Sequence, residues 1–441
     1  MKNRDSRRSG PAAGPLSRAR GPRAQAVWIL RRRFEVSLPF ATSYASEDFE
    51  RLSPADRSLV RELVGGVVRH LSLIDYWLAL ISSRPLDEVD PEILWVLRIS
   101  LYQIHWLRVP DYASVDEAVR LTRALGHGHA AAFVNAVLRG FLRSRPQEPS
   151  VDSVRGLATR YSHPEWLVQR WAARFGFGPT EDILRRDNAL PPSVVRVNTF
   201  RISTSQFLSR LAAEDIPSRP VEGLPDCIEV DHRGFVRHEL YRQGFCFFMD
   251  VSSQRVAYLG DPGSARYVAD LCAAPGGKSF ILASRIRPGT VQICADIDRG
   301  RLAGMRDRAR ELGVGPLHFV EADATSEPLP EGRFGLILAD VPCSGLGTLR
   351  SNPDIKWFVR EGDLLRWQHR QRRILQEAFR ALEPGGEVVY STCSTEPEEN
   401  EQVVEALLGM DARARLRGEY WRSFPGDGPG DGFFAARIGR C

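Results

Sequence analysis

Two short segments, Asp340-Val-Pro-Cys-Ser-Gly-Leu-Gly347 and Ser391-Thr-Cys-Ser394, place a cysteine just beyond an apolar run of strand type. The runs are Gly335 to Ala339 and Glu387 to Ser391, so Cys343 and Cys393 are expected at the carboxyl ends of neighbouring strands. A single cysteine in a long chain is ordinarily core filler. Two in equivalent positions are better explained by chemistry, because a thiolate is a strong nucleophile that can form a covalent intermediate. Asp340, three residues before Cys343, is the nearest acid; it could manage charge on a reacting group or merely cap its loop. The seven cysteines are irregularly spaced and include no C-x-x-C pair, so neither a disulfide framework nor a metal site is expected.

A third segment, Ala269-Asp-Leu-Cys-Ala-Ala-Pro-Gly-Gly-Lys-Ser279, runs from a strand into a helix. Gly276 and Gly277 let backbone approach a ligand, and the helix start offers free N–H groups. Residues 272 to 279 nearly copy a P-loop, but Cys272 replaces its first glycine and Pro275 removes an N–H from the phosphate cradle. A dehydrogenase would need G-x-G-x-x-G, which is missing. An adenosyl cofactor fits better. Asp296, at the end of the second strand, can accept from both ribose hydroxyls, and Asp323, after the third, suits an adenine amino group. Asp298 lies further along and is expected to cap the next helix. The loop with Asp296 and Asp323 therefore makes S-adenosylmethionine the expected cofactor. With a methyl donor beside two cysteines, carbon-5 of a cytosine is the acceptor the chemistry suggests. It is a poor nucleophile until a thiolate adds to carbon-6 and makes it enamine-like. Asp340 would then relieve charge near the ring nitrogen and exocyclic amine.

These residues need an open, mostly parallel sheet to bring them together. From about residue 245 onward, strands near Tyr267 to Leu271, Val291 to Ala295, His318 to Glu321, Gly335 to Ala339 and Glu387 to Ser391 alternate with helices near Lys278 to Arg287, Arg299 to Leu312, Asp363 to Ala381 and Glu398 to Leu408. Residues 146–244 read as a linker and a small α/β connector, with a helix at Tyr161 to Leu167, a strand at Ser193 to Thr199 and a helix at Ser203 to Ala213. Residues 21–145 show helical periodicity throughout, with Ser53 and Pro54 as a helix start. Residues 1–20, rich in Arg, Ser, Gly and Pro, are expected to be a disordered basic tail.

Two resemblances sharpen this reading. Asp56 to Arg69 and Phe133 to Arg139 resemble the RNA-binding helical domain of the antitermination factor NusB. Leu271 to Lys278, Asp340 to Gly345, Pro353-Asp-Ile-Lys-Trp357, Tyr390 to Ser394, Pro397-Glu-Glu-Asn400 and Asp431-Gly-Phe-Phe434 resemble, in order, the motifs of the NOL/NOP/Sun family of RNA cytosine-5 methyltransferases. That resemblance implies a Rossmann-like class I methyltransferase domain over residues 245–441 behind a NusB-like domain. It implies Cys393 as nucleophile and Cys343 as the residue that assists release. The residues alone leave that assignment open, since DNA cytosine methyltransferases take their nucleophile from a Pro-Cys such as Pro342-Cys343. It also implies that Cys272, Ala273, Ala274, Pro275, Gly276, Gly277, Lys278, Asp296, Asp323 and Asp340 contact the cofactor, with Lys278 near its methionine end or the RNA. Met249, where the family has glutamine, and Val341, where alanine is common, depart from the pattern without removing a reacting group.

The expected partner is small-subunit (16S) ribosomal RNA, free or partly assembled. Transfer RNA, or a role as an inactive RNA-binding assembly factor, are the alternatives. A net charge of +5 suits a nucleic-acid partner. Arg57, Arg61, Arg69, Arg139 and Lys356 are the expected RNA contacts. Of 60 basic residues only Lys2, Lys278 and Lys356 are lysine, so a compact ammonium is expected to matter at the last two. Without a long apolar run or the apolar middle of a signal peptide, a cytoplasmic enzyme, monomeric by default, is expected.

Overall fold

The structure, a computed structural model, describes residues 20–107, 109–231, 234–425 and 428–441. The basic tail expected over residues 1–20 lies outside them, apart from Arg20. The chain divides into two compact units between Ala172 and Ala173.

The first unit is helical, as its periodicity predicts. Its longer helices are Pro22–Val36, Pro54–Arg69, Leu71–Ile81, Pro91–Trp106, Asp111–Ala124 and Ala131–Ser144. Ser53 Oγ accepts from Asp56 N at 3.1 Å with Pro54 in the first turn. Asp90 caps the helix at Pro91 in the same way. Val60, Leu63, Val67, Ile93 and Val96 are buried in its core. Close approach of Pro54–Arg69 to Pro91–Trp106 needs Gly66, because a Cβ there would lie 1.9 Å from the Tyr102 ring. The helix expected from Tyr161 instead begins at Glu165. Ser162 takes a left-handed turn (φ 55) whose Oγ accepts from Leu73 N, and Pro164 follows.

The second unit holds two sheets. Strands β1 (Val194–Val197), β2 (Ser218–Pro220), β3 (Cys227–Val230) and β4 (Cys246–Phe248) form an antiparallel sheet in the order β2-β3-β1-β4. Helix Thr204–Ala213, started by a capping box of Ser203 and Gln206, buries Phe207 and Leu211 against Val195, Val197 and Ile228.

The larger sheet contains β5 (Tyr267–Asp270), β6 (Val291–Asp296), β7 (His318–Glu321), β8 (Phe334–Asp340), β9 (Leu382–Thr392), β10 (Ala414–Leu416), β11 (Trp421–Ser423) and β12 (Phe433–Arg440). Its order is β10-β12-β9-β8-β5-β6-β7, with β11 also paired to β12. The five strands from β9 to β7 are parallel, while β12 runs antiparallel to β9. The chain order reverses direction between β5 and β8, which opens a crevice at their carboxyl ends. Helix Asp363–Ala381 packs Ile374, Leu375 and Ala378 into the core beneath β8 and β9. Among the described residues no single helix is long and apolar enough to cross a membrane.

Candidate active site

The crevice collects side chains from five loops. β8 and β9 pair with Asp340 opposite Ser391, and Ser391 Oγ donates to Asp340 Oδ1 at 2.8 Å. The chain turns just beyond that rung, and Cys343 Sγ comes to 3.3 Å from Cys393 Sγ. Both cysteines are free. The hydrogen bond to Cys393, then burial, pushes the Cys343 thiol well above the usual range.

The cysteine pair lines two cavities. One, of about 480 Å³, is bounded by Cys272, Asp296, Ile297, Asp340 and Arg370 as well as both cysteines. The other, of about 680 Å³, is bounded by Phe248, Asp250, Ser253, Ser351, Asp431 and the cysteines. A side chain at 343 or 393 therefore reaches both spaces.

The loop after β5 is held against its neighbours by backbone. Leu271 N donates to Leu338 O (3.0 Å) and Ala273 N to Ala295 O (2.9 Å). Gly276 has φ 112, and a Cβ there would lie 2.5 Å from the Phe280 ring, so no other residue fits without movement. Met249 packs over Gly277. Asp296 is buried; its Oδ2 accepts from Ala274 N (3.1 Å) and its Oδ1 from Asp298 N (3.0 Å). Asp298 caps helix Arg299–Leu312 through Arg301 N at 2.9 Å, as its place past the strand predicts.

Lys278 joins this loop to the cysteine side. Its Nζ lies 2.7 Å from both Asp340 Oδ2 and Ser253 Oγ, and 5.4 Å from the Phe433 ring centroid. Burial opposes its charge, but Asp340 prevails and raises its pKa. Asp270 is buried behind the loop, its Oδ2 taken by Ser279 Oγ at 2.6 Å, and burial pushes it up to about 6.

Other expected residues line neither of these two cavities. Asp323 is exposed and accepts from Thr325 N and Oγ1 at 2.9 and 2.8 Å; those bonds hold its pKa low. Lys356 is 1 % exposed, with Nζ 3.3 Å from Asn188 Oδ1 and beside Asp187. That corrects its expected phosphate contact, since the ammonium faces protein rather than solvent. Arg57, Arg61 and Arg69 share one ridge of helix Pro54–Arg69, where Arg61 stacks over Phe49. Arg139 is exposed on helix Ala131–Ser144, bonded to Asn135.

Three family models match the chain in sequence. The NusB family matches residues 22–143, a ferredoxin-like domain of RsmF/B-like methyltransferases residues 163–237, and 16S rRNA methyltransferase RsmB/F residues 257–438. The probable ribosomal RNA small subunit methyltransferase B of Bacillus subtilis is 35 % identical over 81 % of this chain and 81 % of its own length. The chain belongs to the ribosomal RNA small subunit methyltransferase B family. The member from Sodalis glossinidius is 33 % identical over 88 % of this chain and 90 % of its own. Among solved structures, a methyltransferase homologue from Pyrococcus horikoshii superposes with a TM-score of 0.59 at 26 % identity, covering 66 % of this chain and 99 % of that one.

This family member is thus an RNA methyltransferase with a NusB-type helical domain, a ferredoxin-like connector and a Rossmann-like domain. Several residues of its crevice escape reasoning from sequence. Ser253, Ser391 and Phe433 surround Lys278 and Asp340. Asp431 N donates to Asp250 Oδ2 at 2.9 Å within the larger cavity. Ser391, Asp431 and Phe433 lie in the motifs Tyr390 to Ser394 and Asp431 to Phe434, which carried a signal but no role for these residues.

Proposed function

We propose that this enzyme transfers a methyl group from S-adenosylmethionine to carbon-5 of one cytosine in small-subunit ribosomal RNA, through a covalent adduct at Cys393. The observation that carries the reading is the cysteine pair, 3.3 Å apart and shared by two cavities. The smaller cavity suits the cofactor and the larger a flipped-out base.

The residues present fit the cofactor. Gly276 makes the tight turn of the loop, where a Cβ would meet Phe280 and Met305. Asp296 keeps lone pairs for ribose hydroxyls beyond its two backbone bonds. Asp340 offers a carboxylate to a ligand ammonium from the wall of the smaller cavity. Ile297, Ala322 and Ala324 supply apolar wall for adenine. When bound, the cofactor supplies an electrophilic methyl group.

The chain's own residues do the rest. Cys393 as thiolate forms a bond to carbon-6, and electron density moves to carbon-5, which takes the methyl group. The carbon-5 proton then passes to a solvent base, its electron pair re-forms the ring double bond, and the carbon–sulfur bond breaks, returning the Cys393 thiolate. Asp340, held by Lys278 and Ser391, is the group we assign to relieve charge near the ring nitrogen and exocyclic amine. Cys343, 3.3 Å from Cys393, assists release. The ribosomal substrate rests on the family and its named relatives.

The test is mapping of 5-methylcytosine in unmodified small-subunit ribosomal RNA after incubation with purified protein and S-adenosylmethionine. One strongly methylated cytosine is expected. Activity on transfer RNA alone would discard the substrate but keep the mechanism, and silence on every RNA would leave an RNA-binding assembly factor.

A further inference from the structure

The two cysteine loops share one buried anchor. Glu399 is 0 % exposed and lies in the segment between β9 and helix Glu401–Met410. Its Oε1 accepts from Ser344 N at 2.8 Å and Gln371 Nε2 at 3.0 Å. Its Oε2 accepts from Ser344 Oγ and Ser394 Oγ, each at 2.5 Å. An ionised carboxylate offers about four lone-pair sites, and here four protein donors take them. Ser344 follows Cys343 directly, and Ser394 follows Cys393. One carboxylate therefore sets where both sulfurs point.

We propose that Glu399 is a positioning residue for methyl transfer: it locks the two loops at their working separation, and its buried negative charge opposes a thiolate at Cys343, leaving Cys393 as the cysteine that ionises. The proposal rests on the reading of Cys393 as nucleophile. The surroundings are asymmetric in the required sense. Glu399 takes two bonds from Ser344, beside Cys343, and one from Ser394, beside Cys393; burial raises its pKa, and these bonds oppose that shift and favour its charged form. Tyr390, whose Oη donates to Glu399 O, and Asp340 add no positive charge on the Cys343 side. Arg370 borders both cysteines from the cofactor cavity, and Asp250 and Asp431 border both from the other. None of these three distinguishes one cysteine from the other; the bonding of Glu399, doubled on the Ser344 side, does.

The test uses full-length protein without RNA. Iodoacetamide alkylation of Cys343 and Cys393 is followed by mass spectrometry across about pH 6 to 10, and the midpoint, not the extent, is read. In the wild type the Cys393 midpoint is expected well below that of Cys343. Glu399→Gln removes the charge but keeps the brace, because the two serine hydroxyls can turn to accept from its amide. It is expected to move the Cys343 midpoint to lower pH and to cut kcat about tenfold or more with KM for RNA unchanged. If Glu399→Gln fails to fold, Ser394→Ala removes one of the four donors and is expected to lower kcat less, again at constant KM. Equal midpoints in the wild type, or a Glu399→Gln enzyme with unchanged Cys343 midpoint and kcat, would overturn the proposal. Because alkylation needs no RNA, an error in the assigned substrate would leave this result standing.

Discussion

Lys278→Arg is the most informative single substitution, because it keeps the charge and changes only its shape. The ammonium sits 2.7 Å from Asp340 Oδ2 and from Ser253 Oγ, with its side chain 11 % exposed. A longer, planar guanidinium cannot hold both short contacts in that space. Losing one hydrogen bond to a charged group costs about 1.5–3 kcal/mol, and overpacking a buried site costs about 1–3 kcal/mol. Near the lower end, about 2.5 kcal/mol in total, the loss in kcat/KM is roughly 70-fold at 1.36 kcal/mol per factor of ten. Lys278→Met should lose more, because it leaves Asp340 without its buried counter-ion. The assay is transfer of a labelled methyl group to RNA, with cofactor affinity and thermal unfolding measured alongside. Its pH dependence is also set. Lys278 has a raised pKa, so its contribution is fully present below the ordinary value of 10.5 and is lost only as pH rises through the higher folded value. A Lys278→Arg enzyme within about threefold of wild type would refute the argument, since charge alone would then suffice.

Other expectations follow from the same crevice. Cys393→Ala should abolish methylation, whereas Cys343→Ala should allow attack and leave RNA covalently attached, seen as a shifted band on a denaturing gel; an adduct with the Cys393 variant instead would exchange the two roles. Asp296→Ala removes the acceptor of Ala274 N and Asp298 N and should weaken cofactor binding about tenfold or more by calorimetry, at about 1.4 kcal/mol per factor of ten; unchanged affinity would remove Asp296 from the site. Burial, then the Asp250 charge, pushes Asp431 up to about 7 from an ordinary 3.8. Its stabilising contribution is therefore full below 3.8 and lost as pH rises through about 7. The melting temperature of wild type relative to Asp431→Asn should accordingly rise as pH falls from about 8 to 5, and a flat difference would contradict the assigned shift.

Features written locally were legible in the sequence, and features depending on distant partners were not. Ser53 with Pro54, and Asp298, cap helices as their positions predict. Helices Arg299–Leu312 and Asp363–Ala381 have the expected bounds because each is long and amphipathic. β12 gave no alternation to read: it lies between β9 and the short β10 and β11, and six of its eight residues are buried. The strands β2 and β4 of the smaller sheet are three residues each, too short for a period. Lys356 carried a motif but no hint of burial, because its partner Asn188 lies 168 residues away.

The cysteine pair shows why a strand reading can find a site without knowing its geometry. Periodicity alone places Cys343 and Cys393 after two strands, but it does not say whether those strands are adjacent or in what register. Pairing of Asp340 with Ser391 supplies both facts. Cys343 is three residues past its rung and Cys393 two past its own, so the chain has comparable lengths in which to bring the sulfurs together. A one-residue slip of β9 against β8 would move Ser391 away from Asp340 and reverse the side to which its neighbours point. Glu399 restrains the same two loops from the other side, through Ser344 and Ser394. The 3.3 Å separation is thus set twice, by backbone register beneath the sulfurs and by one carboxylate behind them. Shifting either support should disturb the cysteines before it disturbs the cofactor loop, which hangs from β5, β6 and β8 by its own backbone bonds.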